Sequence, residues 1–168
     1  MPTPNRPSIM FRKFEEAAQD PSWLYEPPPP WRKSWYFFYG ELMDPPTLQS
    51  IINPVQSQSA PLPQLYPAST QGYTIKLLGD YLAAIVNMGS DWHIPTRGAA
   101  YQVQSEDEEN RLIEYEMSMN FSGRGSALTL DDGNVIANGR LFVWAGDRSL
   151  LRDRISTLGS GWAARRDN

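Results

Sequence analysis

Apolar side chains in this chain fall mostly into short runs that end at glycine, proline or aspartate. The clearest run is residues 35–39 (WYFFY), which stops at Gly40. A short apolar run bounded by a turn residue is typical of a buried strand. Asp132-Gly133 is typical of a hairpin turn. On these criteria the sequence predicts strands at about 35–39, 70–78, 81–87, 97–104, 126–131 and 134–145.

Other segments carry apolar residues at helical spacing. The strongest helix signal is the capping box at 105–108 (SEDE), in which Ser105 can accept a hydrogen bond from the N–H group three residues later. We predict helices at about 9–18, after Asp44 over Leu48, Ile51 and Ile52, at about 105–117, and at about 148–157. Strands and helices in this order predict an α+β fold with a mixed, partly closed sheet.

Proline divides the chain into a tail and a domain. Eight of the fifteen prolines fall in the first 30 residues, and the last four form the run 27–30. Such a run favours polyproline II and cannot continue a helix. We therefore expect a Pro-rich tail with one short helix over residues 1–33, one domain over 34–158 and a second tail over 159–168. The alternative for the proline run is a docking site for an SH3-like or WW-like partner. Residues 53–69 are also polar and Pro-rich, and they predict a long surface loop.

Composition excludes several kinds of function. Fifteen basic and nineteen acidic residues give a net charge of −4, so we expect neither nucleic acid nor an anionic membrane as a partner. The chain has no cysteine, which excludes disulfides, zinc–thiolate sites and cysteine nucleophiles, and its one histidine, His93, excludes a multi-histidine metal site. The chain begins without a signal-like apolar segment, and its apolar runs are too short to cross a bilayer. We therefore expect a soluble, cytoplasmic protein.

One carboxylate in the acidic segment 106–116 differs from the others, most of which are expected on a solvated helix face. On a helix, Glu116 shares a face with Leu112 and Ile113, whereas Glu114 points elsewhere. A carboxylate on an apolar stripe is partly desolvated, which raises its pKa and makes it a better base near neutral pH. The alternative is a solvated glutamate at the end of the helix.

The turn after the aromatic strand is the second candidate site. Glycine at the end of a buried strand lets the backbone approach a ligand closely, and consecutive N–H groups there can bind an anion. The turn consists of Tyr39, Gly40, Glu41 and Leu42. The alternative is an ordinary connection between a strand and a helix.

Five segments together resemble a known family. They are 37–43 (FFYGELM), 79–86 (GDYLAAIV), 97–103 (RGAAYQV), 112–116 (LIEYE) and a closing hairpin with Asp132-Gly133 and LFVW at 141–144. In this order they are similar to the YG(S/T)L, GxYPAIV, VxGxxYxV and LDxYE motifs and final hairpin of the gamma-glutamylcyclotransferase-like family. That family includes the plant avirulence-induced-gene-like proteins and their fungal relatives.

The resemblance implies a small, mixed, β-barrel-like sheet with flanking helices. It also implies an acyltransferase-type cyclase that converts a gamma-glutamyl amide into 5-oxoproline and an amine, without a metal or cofactor. We expect the protein to be a monomer or a homodimer. Glu116 takes the position of the catalytic acid/base, and Phe121 that of a pocket aromatic. The substrate-binding loop maps to Tyr39, Gly40, Glu41 and Leu42.

Four positions depart from the family pattern. Glu41 replaces a small residue, Ile113 replaces Asp, Met117 replaces Gly and Phe121 replaces Tyr. These departures leave two alternatives to the cyclase. One is a small-molecule-binding or interaction module that keeps the fold but not the reaction. The other is a relative recruited to a different cyclising or amide reaction in secondary metabolism.

Overall fold

A computed structural model describes residues 8–19, 27–55 and 60–153. The chain divides into two compact units, Met1–Trp31 and Arg32–Asn168. The first unit contains α1 (Ile9–Gln19), which confirms the predicted N-terminal helix. Every feature described below belongs to the second unit.

Within the described ranges, eight strands form a closed barrel and a separate three-stranded sheet. The barrel order is β1-β5-β2-β6-β7, and β1 closes it by pairing antiparallel with β5 and parallel with β7. The smaller sheet has the order β4-β3-β8. The α+β prediction is therefore confirmed. The strands are β1 (Trp35–Phe38), β2 (Tyr66–Thr70), β3 (Tyr73–Leu78), β4 (Tyr81–Val86), β5 (Thr96–Gln102), β6 (Phe121–Leu130), β7 (Val135–Trp144) and β8 (Arg152–Asp153).

The barrel interior is filled by a few large side chains against small ones. Phe37, Leu128 and Leu141 are fully buried there beside alanines of β2, β4 and β5. Gly98 on β5 lies so close to β1 that an added Cβ would overlap the Phe38 carbonyl oxygen and the Phe37 ring. The aromatic run of β1 therefore requires small residues opposite it.

Two helices of the second unit carry the caps that the sequence predicts. Asp44 accepts a hydrogen bond from the Thr47 N–H at 3.0 Å and begins α2 (Pro45–Ile52). Ser105 accepts from the Glu108 N–H at 3.2 Å and begins α3 (Glu106–Ser118). The two helices pack on each other. No helix within the described residues is long and apolar enough to span a membrane.

Two predictions of secondary structure are wrong. The end of the predicted loop, residues 66–69, belongs to β2, because pairing with β5 on one side and β6 on the other outweighs the proline signal. Proline is compatible with this position in β2. The Pro67 carbonyl accepts a hydrogen bond from the Asp131 N–H at 3.0 Å, and the strand pairing does not need the N–H group that proline lacks. The helix predicted at 148–157 is a 3₁₀ turn over 148–150 followed by β8, which pairs with β3. Residues 154–157 lie outside the described residues.

Candidate active site

A cavity of about 420 Å³ opens where β1 ends. Its walls come from the β1–α2 connection, the β3–β4 turn, the C-terminal half of α3, and the facing strands β6 and β7. All six predicted site residues line it, although they come from three separate parts of the sequence. They are Tyr39, Gly40, Glu41, Leu42, Glu116 and Phe121.

Glu116 faces this cavity from α3. Leu112, one turn earlier on the same face, is fully buried and anchors the helix on the barrel. Burial raises the pKa of the Glu116 carboxyl from about 4.5 to about 7, and the nearby negative charge of Glu41 acts in the same direction. Within the described residues, no donor forms a hydrogen bond with this carboxylate. It is therefore free to exchange a proton with a ligand near neutral pH.

The turn opposite Glu116 offers backbone N–H groups. A 3₁₀ turn runs from Glu41 to Met43, closed by a 3.0 Å bond from the Met43 N–H to the Gly40 carbonyl. The N–H groups of Glu41 and Leu42 begin this turn and have no partner inside it. Such groups can hold an anion or a developing negative charge.

Gly40 contributes to the cavity through its missing side chain and not through a left-handed backbone conformation. Its φ of −137° lies outside the left-handed region. A Cβ there would make an ordinary 3.8 Å contact with Leu82 on the opposite wall. The missing side chain therefore contributes space to the cavity.

The side chain of Glu41 points across the cavity mouth. Its Oε1 accepts a 2.5 Å hydrogen bond from the hydroxyl of Tyr115 on α3. Burial and this bond both raise the pKa of the Tyr115 phenol. The phenol thus remains a donor at neutral pH and fixes a negative charge near Glu116.

Tyr39 uses its hydroxyl to join two sheets. The hydroxyl donates to the Phe142 carbonyl of β7 at 2.7 Å and accepts from the Ala84 N–H of β4 at 3.1 Å. Burial raises the pKa of Tyr39. This phenol therefore links the smaller sheet to the barrel beside the cavity.

Leu42 and Phe121 supply apolar side chains to the wall of the cavity. Leu42 is 3% exposed and Phe121 is 6% exposed. The Phe121 ring meets Trp144 edge to face, with ring centroids 5.5 Å apart. Phe121 lines the cavity but has no group that can donate a hydrogen bond to a ligand.

Comparison with known proteins decides the family. A family model described as gamma-glutamyl cyclotransferase, AIG2-like, matches residues 36–163. The chain belongs to this family. No curated protein matches its sequence.

Solved structures show the same fold at low sequence identity. An Arabidopsis thaliana protein solved in solution is 16% identical, with a TM-score of 0.56 over 74% of this chain and 78% of that one. A second Arabidopsis thaliana protein is 18% identical, with a TM-score of 0.53 over 71% and 67%. A structure named gamma-glutamyl cyclotransferase is 12% identical, with a TM-score of 0.49 over 67% of each chain. The two plant structures share the fold of this chain. With the family match, this confirms the gamma-glutamyl cyclotransferase-like fold that the sequence predicts.

The four departures from the gamma-glutamyl cyclotransferase pattern divide between two places. Glu41 and Phe121 line the candidate cavity. Ile113 and Met117 line an adjoining recess of about 330 Å³, which shares Phe121 with the cavity. Of the four departures, Glu41 and Phe121 are therefore the two that line the same wall as Glu116.

Sequence reasoning missed several contributors to this wall, among them Tyr115, Asp80 and Tyr81. Asp80 and Tyr81 follow Gly79, whose φ of +59° forms the tight turn between β3 and β4. That turn was visible as Gly79-Asp80, but nothing in the sequence indicated that it faces α3. Within the described residues, no group of three metal-ligating side chains could hold a metal ion.

Proposed function

We propose that this member of the family is a gamma-glutamylcyclotransferase-type enzyme that releases 5-oxoproline from a gamma-glutamyl amide. One observation carries the proposal: the Glu116 carboxyl, with a pKa of about 7, shares a single cavity with the turn at Gly40. A carboxyl group with this pKa is suited to accept and return a proton at neutral pH.

The reaction is an intramolecular aminolysis. The ionised Glu116 takes a proton from the alpha-ammonium of the substrate, and the freed amine attacks the gamma-carbonyl carbon to close a five-membered ring. Negative charge develops on the carbonyl oxygen. When the ring intermediate collapses, the bond to the original amide nitrogen breaks and the protonated Glu116 gives its proton to that nitrogen. The ring nitrogen then passes its remaining extra proton to the departing amine, again through Glu116. No water is consumed, and the products are 5-oxoproline and the amine as its ammonium ion.

The turn and the cavity walls support the same proposal. The N–H groups of Glu41 and Leu42 have no partner within their own turn and can hold the substrate's carboxylate or the developing charge. Apolar walls such as Leu42 and Phe121 favour a folded substrate conformer, which brings amine and carbonyl together. Holding two reacting groups in this geometry supplies a large part of the rate gain in such reactions.

The test is release of 5-oxoproline from a panel of gamma-glutamyl amides by the full-length protein. We expect Glu116→Gln to lower turnover by about two to four orders of magnitude, the usual contribution of a positioned acid/base. Glu114→Gln is the matched control, because Glu114 is an exposed neighbour that does not line the cavity. Unchanged turnover in Glu116→Gln would contradict the proposal.

A binding module without catalysis is the second candidate, and Glu41 favours it. An acidic side chain at the cavity mouth repels an anionic substrate end, which the small residue of the family pattern does not. This alternative predicts no turnover of any gamma-glutamyl amide, together with a ligand-dependent rise of the melting temperature that cavity variants abolish. A relative recruited to another cyclising or amide reaction would instead turn over only amides outside the gamma-glutamyl class.

A further inference from the structure

The adjoining recess beside the candidate cavity has the composition of a ligand site of its own. It lies between α3 and the strands β1, β6 and β7, and its volume of about 330 Å³ is within the range of small-molecule sites. Most of its wall is apolar. Two arginines line it, Arg124 and Arg140, and none of the described residues in the wall is acidic, although the chain carries a net charge of −4.

We propose that the adjoining recess binds a small organic anion, a carboxylate attached to a flat apolar body, and that Arg140 holds the carboxylate. The inference goes beyond the proposed function, because it uses neither Glu116 nor the turn at Gly40 and does not require the cyclase reaction.

Two stacked rings form a rigid floor for the apolar part of such a ligand. The rings of Tyr36 and Phe142 lie 5.3 Å apart with an interplanar angle of 17°. Both residues are almost fully buried, at 1% and 3% exposure. The neighbours that bury them hold this floor in place, so a ligand would bind to it without the entropic cost of ordering it.

Two glycines of β6 leave the space beside this floor open. Gly123 is registered with Phe142 and Gly125 with Arg140, so side chains at the two glycine positions would share the face of Phe142 and Arg140. An added Cβ at either glycine would meet nothing within 4 Å. The volume of the recess therefore depends on the missing side chains of these glycines.

α3 supplies the opposite wall through two of the departures from the family pattern. Ile113 and Met117 are one helical turn apart and both line the recess. The family pattern has Asp and Gly at these positions, which would place a carboxylate in this wall and leave it without an apolar side chain at 117. The chain instead offers apolar contact and no acidic repulsion, and Met117 is 62% exposed without a ligand.

Arg140 keeps donors that no other residue uses. Its Nη1 donates to the Glu109 carboxylate at 3.3 Å and to the Tyr36 hydroxyl at 3.4 Å, both long for N–H···O bonds. Within the described residues, its Nη2 and Nε groups form no hydrogen bond. A guanidinium binds a carboxylate through two parallel hydrogen bonds, so Arg140 can hold an anion while Nη1 stays with Glu109.

The charges around the recess favour an anion over a neutral or cationic ligand. Glu109 offsets part of the charge of Arg140, but it does not line the recess, and its Oε1 also accepts from the Ser34 and Tyr36 hydroxyls. Arg124 is exposed, and its side chain has no hydrogen bond within the described ranges. Its charge therefore adds to the positive potential, which attracts a carboxylate and repels an ammonium group.

Three probes with one apolar body test the class of ligand. The probes are 4-phenylbutanoate, 4-phenylbutanamide and 4-phenylbutylamine, which end in a negative, a neutral and a positive group. NMR titration of the full-length protein measures each Kd. We expect the carboxylate to bind about tenfold more tightly than the carboxamide, the amine to bind most weakly, and the backbone N–H signals of Gly123 and Gly125 to move. Equal Kd values for the three probes, or no saturable binding of 4-phenylbutanoate, would overturn the proposal.

Two variants separate the charge of the site from its volume. Arg140→Gln should reduce the preference for the carboxylate over the carboxamide to about threefold or less. Gly123→Leu places a side chain in the open space and should abolish binding of both probes. Arg148→Gln is the control, because Arg148 is exposed and does not line the recess, and it should leave both Kd values in place. Undiminished binding to Gly123→Leu would show that the ligand binds elsewhere.

Arg140→Lys is measured beside Arg140→Gln, because glutamine leaves Glu109 without its cation. Lysine keeps a positive charge near Glu109 but has no second terminal nitrogen for a paired contact with a carboxylate. We expect Arg140→Lys to fold like the wild type and to bind 4-phenylbutanoate about threefold or more weakly. A Kd equal to that of the wild type would remove the guanidinium from the proposal. Gly123→Leu tests the place of binding independently of this ion pair.

Discussion

The hydroxyl of Tyr115 donates a 2.5 Å hydrogen bond to the carboxylate of Glu41, 74 positions earlier in the chain. This bond joins the turn after β1 to the C-terminal half of α3 and holds one acidic group near another, Glu116. The negative charge of Glu41 is one of the causes that raise the pKa of Glu116. Through its charge, Glu41, which departs from the family pattern, therefore influences the ionisation of Glu116, the proposed acid/base.

Removing the charge of Glu41 should lower the pKa of Glu116. A neighbouring negative charge disfavours the ionised carboxylate, so Glu41→Gln makes ionisation easier and shifts the pKa below about 7. The carboxyl ¹³C signal of Glu116, followed by NMR across the acidic and neutral range, measures this directly. In the activity profile, the rise of kcat/KM with pH should move to lower pH. Asp107→Asn, an exposed change in the first turn of α3, is the control and should leave the titration in place.

Glu116→Gln should stabilise the protein above pH 7 while it removes activity. Because the folded-state pKa of Glu116 is raised to about 7 from about 4.5, the folded state binds more protons than the unfolded state between these values, and stability falls as the pH rises through them. Glutamine stays neutral and avoids this loss. We expect a gain of about 1–2 kcal/mol at pH 8, below the full conversion of the pKa shift because the cavity admits water.

The gain should disappear at low pH. At pH 4 Glu116 is already protonated in the folded state, so Glu116→Gln and the wild type should have nearly equal free energies of unfolding in urea. A variant that is equally stabilised at pH 4 and pH 8 would show that the effect does not come from ionisation.

Tyr39→Phe should destabilise the fold. Loss of the hydroxyl leaves the Phe142 carbonyl and the Ala84 N–H without their partner, so we expect a loss of about 1–3 kcal/mol in the free energy of unfolding. Tyr73→Phe is the matched control, because the Tyr73 hydroxyl makes only a long, exposed 3.3 Å bond to the Gly125 carbonyl. We expect Tyr73→Phe to lower the free energy of unfolding by less than about 0.5 kcal/mol. Equal losses in the two variants would contradict the bridging role of Tyr39.

Gly98→Ala and Gly123→Ala form a pair that tests packing around the barrel. An added Cβ at Gly98 overlaps the Phe38 carbonyl and the Phe37 ring, whereas one at Gly123 meets nothing within 4 Å. We expect a loss of about 2–3 kcal/mol for Gly98→Ala and no loss for Gly123→Ala. Thermal unfolding followed by circular dichroism distinguishes them. A stable Gly98→Ala variant would mean that β1 and β5 can separate without loss.

Local rules predicted much of this molecule because they depend on nearest neighbours. The caps at Asp44 and Ser105 and the hairpin at Asp132-Gly133 follow from backbone groups within three residues. The place of Glu116 on the apolar face of α3 follows from helical spacing alone. The raised pKa of the Glu116 carboxyl follows from burial at this position, and the sequence predicts it as well.

The same spacing rule could have identified a second acidic residue. Glu109 precedes Leu112 by three positions and lies on the same face, yet it belongs to the part of the acidic segment that was expected to be solvated. Glu109 is 8% exposed and accepts hydrogen bonds from the Tyr36 hydroxyl at 2.8 Å and the Ser34 hydroxyl at 2.7 Å. Arg140 lies 3.3 Å away and compensates its charge. Periodicity thus indicated burial, but only tertiary contacts supply the partners that make burial of a charge possible.

Other features could not be predicted because they join distant segments. The strand at Tyr66–Thr70 forms through its neighbours β5 and β6, and its own residues resemble a loop. The bond from Tyr115 to Glu41 depends on how α3 crosses the end of β1. No local pattern encodes that crossing.

The parallel pairing of β1 with β7 has a consequence for the order in which the protein can assemble. Trp35 is registered with Gly139, so the first and last strands of the barrel meet only after the whole stretch between them has been made. Phe142, which anchors Tyr39 and lines the cavity, belongs to the last of these strands. A nascent chain on the ribosome therefore cannot complete the barrel or the wall of this cavity until β7 has emerged.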